Sequence, residues 1–448
     1  MIYEALQESY GQTREVTLED VIRVGCGYRH YLHLSGAERK RPQKPSDILL
    51  RRYEDKVRLA VSAYFRGRYG DRYRPGSYQT HGRVLVRVDG WITPISTQES
   101  PGRVVDIQVV SSSDFSSARA PRYAIASAAY KAGKAGDGSA LLVVVNRDNQ
   151  EMAMWLIDKC PESLKRDIEH DVEYINRLVD NSAMPMGTAS RTTCRVCPYK
   201  DPCGMPATED PEPYDTSDIR VVPGLAYYKE VDAYLWGLND VPSGRQTKVI
   251  HPSSFSISKC DRQIAYDLLG VDQHHKIGPR LRLIFDAGHA IHDVVQGALD
   301  LSSSDFEPEV LVVDEKLKIH GHCDGRLSPE VGIEIKSIGS KGFKSLQKAK
   351  PEHEAQATIY GAILGLQKIH YVYVNKETGD IAEFVVPVSR KLWHKQAARA
   401  SNIHKTVEMG DMPPQIDKDY VCRNCAYAWT CKPEMGSTES EKQKRTFA

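Results

Sequence analysis

Cys194-Arg195-Val196-Cys197-Pro198-Tyr199, running on to Cys203, is echoed by Cys422-Arg423-Asn424-Cys425-Ala426-Tyr427, running on to Cys431. Each stretch has a lone cysteine far upstream, Cys26 for the first and Cys260 for the second, at gaps of 168 and 162 residues. Eight of the ten cysteines thus fall into two matched sets of four. A pattern repeated at that distance predicts two similar domains in tandem. Three close thiolates and one distant thiolate can close a tetrahedral zinc site or hold an iron–sulfur cluster. Zinc sites usually join two close pairs, so the one-plus-three arrangement favours a cluster. Cys160 and Cys323 fall outside both sets and read as buried apolar residues.

The repeat extends between the cysteines. Asp89-Gly90 follows Cys26 by 63 residues, and Asp324-Gly325 follows Cys260 by 64. A short strand comes next in each half, Val104–Val109 and Gly332–Lys336. Then comes a helix opened by Pro121 or Pro351 and carrying Tyr130 or Tyr360. These spacings predict an α/β chain with domains over 1–205 and 251–436. An acidic linker with a short helix is expected over 206–250, and a polar, disordered tail over 437–448. With 448 residues, 41% hydrophobic and 27% charged, each half can bury a core of its own. No charged start followed by an apolar run opens the chain, and no run spans a bilayer, so a cytoplasmic setting without membrane partners is expected. A reducing compartment makes clustered cysteines metal ligands more often than disulfides.

On a strand, residues two apart share a face, so Glu334 and Lys336 point one way. Ile333, Ile335 and Ile338 are expected on the buried side. Asp324 is close enough in sequence for a hairpin to bring it beside Glu334. Two adjacent carboxylates repel unless a divalent cation neutralises them. A lysine there can stabilise negative charge developing on a phosphate. His292 lies upstream on a helix over Phe285–Leu299, on one face with His289. Gln356 and Tyr360 share a helical face downstream.

Taken together, Cys260, Gly288-x-x-x-His292, Asp324, Glu334-x-Lys336, Gln356-x-x-x-Tyr360 and the closing cysteines resemble the RecB-type branch of the PD-(D/E)xK nucleases. In particular, the pattern resembles the CRISPR-associated iron–sulfur exonucleases and the nuclease domain of AddB. It covers nearly all of residues 254–433. The resemblance implies two restriction-endonuclease-like domains, each a central mixed sheet flanked by helices and closed by a four-cysteine staple. It implies two 4Fe-4S clusters, one on Cys260, Cys422, Cys425 and Cys431, the other on Cys26, Cys194, Cys197 and Cys203. It further implies His292, Asp324 and Glu334 as ligands of Mg²⁺ or Mn²⁺, Lys336 as the catalytic lysine, and Gln356 and Tyr360 as supporting residues. The activity implied is a metal-dependent deoxyribonuclease, an exonuclease on single-stranded DNA, with any helicase or recombination partner a separate protein. A catalytically silent nucleic-acid adaptor and a zinc-stapled endonuclease or RNA-processing protein are the competing readings.

The first half departs from this pattern. It keeps Asp89 and Tyr130, but Asp106 stands for the glutamate and Gln108 for the lysine. No Gly-x-x-x-His precedes Asp89. A degenerate site with a preserved fold is therefore expected. Between Arg39 and Arg74, twelve basic residues face four acidic ones, interleaved with tyrosines. That mixture suits single-stranded nucleic acid, with Arg51, Arg52, Lys56, Arg66, Arg68 and Tyr69 as contacts. A solvated helix face is the plainer alternative. Lys341 and Lys344 beside Lys336 extend the basic character to the second half.

Overall fold

The computed structural model describes residues 2, 4–6, 16–24, 34, 45–93, 102–135, 138–158, 160–181, 214–240, 246–255, 260–272, 277–416, 419–422 and 425–432. Cys26, Cys194, Cys197, Cys203 and the tail lie outside them.

The first half opens with β1 (Val16–Thr17), α1 (Leu18–Val24) and α2 (Pro45–Tyr69). Proline at the start of α2, Asp47 in its first turn and Arg66 and Arg68 in its last agree with the helix dipole. Strands β2 (Tyr73–His81), β3 (Val84–Ile92) and β4 (Arg103–Val110) follow, then α3 (Arg122–Lys134), β5 (Ala140–Asn146), β6 (Met152–Ile157) and α4 (Glu162–Asp180). Beyond the expected boundary at 205, β7 (Val221–Pro223) adds to the same sheet, and α5 (Leu225–Gly237) buries Val231 and Leu235 against it. The sheet runs β1-β3-β4-β5-β6-β7, with β2 also on β3. The β1–β3 and β4–β5 pairs are parallel, the others antiparallel. Strand β3 alternates buried Val84, Val86 and Val88 with half-exposed residues, while β5 is buried throughout, as a central strand covered on both faces must be.

The second half repeats this plan. It contains α6 (Asp261–Leu269), α7 (Pro279–Ser302), β8 (Glu307–Asp314), β9 (Ile319–Ser328), β10 (Val331–Ile338), α8 (Ser340–Lys344), α9 (Pro351–Leu364), β11 (Lys368–Asn375), β12 (Ile381–Pro387) and α10 (Arg390–Glu408). Among the described residues its sheet has five strands in the order β12-β11-β10-β9-β8, with β10–β11 the parallel pair. Helices α3 and α9 make the equivalent crossovers. Even the β1–β3 contact has a counterpart, a parallel bridge between Ile250 and Ile319. Two mixed sheets flanked by helices are thus present, consistent with tandem PD-(D/E)xK domains.

The halves meet through equivalent helices. Lys56 Nζ reaches Asp293 Oδ2 at 3.0 Å and the Tyr64 hydroxyl bonds Asp286, so α2 and α7 run antiparallel. Val57, Val61 and Phe65 share one apolar cluster with Ile291, Val294, Ile333 and Ile335. Each helix start also receives a turn from the other half. Arg280 Nε donates to Asn149 O at 3.1 Å, and Gly379 packs on the backbone of Ser46. Gly379 has φ +72°, and a Cβ there would lie 2.3 Å from Ser46 O. Both the left-handed backbone and the contact require glycine. Gly379→Ala is expected to cost about 1–3 kcal/mol in urea denaturation; an unchanged midpoint would contradict this packing.

Candidate active site in the second half

Strand pairing brings the acidic residues together. The β9–β10 ladder pairs Gly325 with Ile333, which sets Asp324 beside Glu334. The Asp324 carboxylate then replaces a main-chain acceptor: Ile335 N donates to its Oδ2 at 2.6 Å. On its other oxygen, Oδ1 lies 3.4 Å from His292 Nδ1 of α7. Lys336 Nζ stands 2.5 Å from Glu334 Oε1. Ile333 and Ile335 lie on the opposite, α7-facing side as expected. Ile338 instead packs with the cluster around α9, on the Glu334 side, as its even spacing from Glu334 requires.

Glu334 is fully buried; Oε1 meets the Lys336 ammonium, and Oε2 has no hydrogen-bond partner among the described residues. Burial, with the Asp324 charge, raises its pKa to about 7 against the attraction of Lys336. For Asp324 burial acts upward, but the His292 hydrogen bond and the charges of His292 and Lys336 prevail and hold the carboxyl below its usual value. Burial likewise opposes the Lys336 charge, and Glu334 and Asp324 outweigh it, so the ammonium persists to higher pH than usual. The folded, metal-free chain therefore holds a Glu334 proton that the unfolded chain releases between pH 4.5 and 7, and this group's contribution to stability falls as pH rises through that window. Glu334→Gln is expected to raise the melting temperature in chelator at pH 8 by more than at pH 5. Equal shifts at both pH values would contradict the burial argument.

One ligand-type group was not read from the sequence. Glu309 of β8 joins His292 and Asp324, with one donor atom from each within 4.8 Å of the others. Gln296 Nε2 donates both to Glu309 Oε1 and to Asp324 O at 2.7 Å, tying strand to strand. Glu309 has φ +51°, a conformation that non-glycine residues adopt rarely and that recurs at functional sites. Gln356 and Tyr360 lie on α9, where Gln356 Nε2 donates to the Tyr360 hydroxyl at 2.8 Å. Burial and the nearby Glu334 charge push that phenol well up.

The first-half counterpart keeps the scaffold and changes the chemistry. Ile107 N donates to Asp89 Oδ2 at 2.7 Å, as Ile335 does to Asp324. Asp106 is buried where Glu334 stands, and Gln108 Nε2 donates to its oxygens at 3.0 and 3.1 Å. The cation comes from the helix instead. Lys131 of α3, with no exposed surface, places Nζ 2.7 Å from Asp106 and 2.5 Å from Glu19 of α1. Burial opposes the Lys131 charge, but Asp106 and Glu19 more than restore it. Aligning Tyr130 on Tyr360 puts Gly361 at the corresponding place in the second half. That mismatch marks Lys131 in the sequence but not its partners. Tyr130 itself is buried, its hydroxyl 3.2 Å from His81 Nδ1.

The expected iron–sulfur staple must be corrected. Cys260, Cys422, Cys425 and Cys431 are half-buried free thiols that line one small cleft. No three of their sulfurs lie within 4.8 Å of one another: among the described residues, His292, Glu309 and Asp324 form the group of three or more metal-type donors that close. The 4Fe-4S cofactors, and a fold closed by them, are accordingly withdrawn. Start and end of this half are joined by other means. Tyr427 donates to Asp267 Oδ1 at 2.6 Å and packs on Tyr266, and Arg262 Nη1 donates to Pro413 O at 3.2 Å. Cysteine spacing alone could not show that aromatic packing does this. Cys160 and Cys323 are buried, as read from sequence.

The basic stretch on α2 is also revised. Tyr53, Tyr64, Phe65, Tyr69 and Tyr73 are all buried, so these rings form core rather than a stacking surface. Lys56 and Arg68 are paired with Asp293 and Glu230. Arg66 is exposed, Arg51 and Arg52 line a first-half cleft, and Lys341 and Lys344 are exposed on α8.

No protein-family model and no curated protein matches the chain. Solved structures with partial likeness include a protein designated SSO0001, at 18% identity and TM-score 0.30, covering 45% of this chain and 95% of that one. An alkaline exonuclease from Laribacter hongkongensis is similar at 12% identity and TM-score 0.31, over 40% of this chain and 93% of that one. The same exonuclease in complex with dAMP gives 16% identity and TM-score 0.30, over 36% and 89%. Among the described residues, no helix is long and apolar enough to cross a membrane.

Proposed function

We propose that the chain is a metal-dependent deoxyribonuclease, an exonuclease on single-stranded DNA, with its working centre on β9, β10 and α7. The observation that carries this reading is the fully buried Glu334 carboxylate, set beside Asp324 with the Lys336 ammonium 2.5 Å from Oε1 and no hydrogen-bond partner on Oε2 among the described residues. Two buried carboxylates side by side are chemistry that a divalent cation completes. His292, Asp324 and Glu334, with Glu309, would hold Mg²⁺ or Mn²⁺. When bound, such an ion polarises a phosphate and lowers the pKa of a bound water. Lys336 sets an ammonium where negative charge grows on the phosphate oxygens as water attacks phosphorus. His292 orients Asp324 through its Nδ1, and Gln296 fixes Glu309 relative to β9. Gln356, steadied by Tyr360, offers an amide to the phosphate or the attacking water. Residues 251–436 form the working domain in this reading, and residues 1–205 form a degenerate partner that supports the fold and the strand.

The test is digestion of single-stranded DNA, duplex DNA and RNA, labelled at either end, with Mg²⁺, Mn²⁺ or chelator. Stepwise shortening of single-stranded DNA with metal, abolished by chelator, is expected. Intact substrates under every condition would favour the silent adaptor, and internal cuts would replace exonuclease by endonuclease.

A further inference from the structure

A cleft of about 460 Å³ opens in the first half beside Gln108, between α1, α2, β3 and the end of β5. Six guanidinium groups and four carboxylates line it. The carboxylates are all engaged within the chain. Lys131 holds Glu19, Thr17 holds Asp20, Arg147 holds Glu54, and Arg58 and Arg87 share Asp55. Lys131 also neutralises Asp106 beneath the cleft, so the acid pair there has no call on a metal ion.

The groups left over are of three kinds. Arg51 is exposed and has no ion-pair partner among the described residues. Tyr78 of β2 is 65% exposed on the cleft wall. Tyr123 lines the same cleft, its buried hydroxyl without a hydrogen-bond partner among the described residues, and the Arg23 guanidinium lies 5.0 Å from the centre of its ring. A cation for phosphate, an exposed ring for stacking and an unused hydroxyl donor together fit a nucleotide unit. Six guanidinium groups against four carboxylates leave the lining net positive, which suits a polyanionic strand.

We propose that this cleft is a metal-independent binding site for an unpaired polynucleotide strand, held by Arg51, Tyr78 and Tyr123. The proposal deepens the nuclease reading and rests on it for what the strand is: the one that the second half cuts. It places strand binding in this cleft, whereas the aromatic residues of α2 belong to the core.

The test is fluorescence anisotropy of the full-length chain with labelled oligo(dT) in chelator, so that no cleavage occurs. Oligo(rU), dTMP and inorganic phosphate serve as competitors. Wild type is expected to bind oligo(dT), with millimolar phosphate or dTMP displacing it poorly. Tyr78→Ala is expected to weaken binding by about 5- to 150-fold, the range for one base stacked on an aromatic ring. Arg51→Glu should weaken it further and flatten its salt dependence. Tyr123→Phe removes only the hydroxyl and should weaken binding without touching the fold. Competition by oligo(rU) as strong as by oligo(dT) would make the strand site indifferent to sugar. Unchanged affinity in all three variants, or equal displacement by phosphate, would overturn the proposal. Wild-type cleavage with Mn²⁺, measured separately, distinguishes the two failures. Cleavage without variant-sensitive binding sinks this site alone, and variant-sensitive binding without cleavage sinks the nuclease reading alone.

Discussion

Lys336→Ala is expected to lower the single-turnover rate of DNA cleavage by about 10²–10⁴-fold, the usual span for a positioned proton-transfer or charge-stabilising group. Its Nζ is held 2.5 Å from Glu334 on a side chain 22% exposed, close to the acid pair yet open to substrate. Removing it takes away the positive charge that faces the phosphate and leaves the Glu334 carboxylate less well balanced. Lys336→Arg keeps the charge but not its placement, and should recover part of the loss. Circular dichroism and oligo(dT) binding in chelator should be unaffected in both variants. Undiminished cleavage by Lys336→Ala would remove this residue from the mechanism.

Lys131→Met should do the reverse, sparing the chemistry and striking the fold. The Lys131 ammonium is enclosed by Asp106 and Glu19 with no exposed surface. Removing one partner from such a buried network leaves uncompensated charge and costs about 3–5 kcal/mol. Adding Asp106→Asn to Lys131→Met should recover much of that, because one of the stranded charges disappears. Urea denaturation of the two variants beside wild type measures both effects. A loss below about 1 kcal/mol for the single variant would show that the pair is not the strut described. Each half thus sets one ammonium against a strand carboxylate. In the second half the lysine comes from β10 and is reachable from solvent; in the first it comes from α3 and is sealed in.

That contrast marks the limit of what the sequence made legible. Strand periodicity placed Glu334 and Lys336 on one face, and hairpin length placed Asp324 beside them, because both depend on local geometry. The repeat of strands and crossovers was readable for the same reason. Lys131 and Glu19 were not, since their meeting depends on how α1 and α3 pack on the sheet. Glu309 escaped because an unusual backbone conformation on β8 brings it to His292. The tyrosines of α2 read as a surface because nothing in a sequence reveals that the turn after β5 meets Tyr53, α7 meets Tyr64 and α5 meets Tyr69. The cysteine sets were the most regular feature of the chain and misled about chemistry. Regular spacing does not oblige four sulfurs to approach as closely as a metal-type donor group, and Tyr427 and Asp267 make a closing contact.

The central claim is that one acid pair, in the second half, does the cutting. The most direct measurement is cleavage of end-labelled single-stranded DNA with Mn²⁺ by wild type and by Asp324→Asn, with chelator as control. Wild type is expected to cut only with metal, and Asp324→Asn to leave the strand intact while still binding it in chelator. Cleavage by Asp324→Asn at the wild-type rate, or by wild type in chelator, would contradict it.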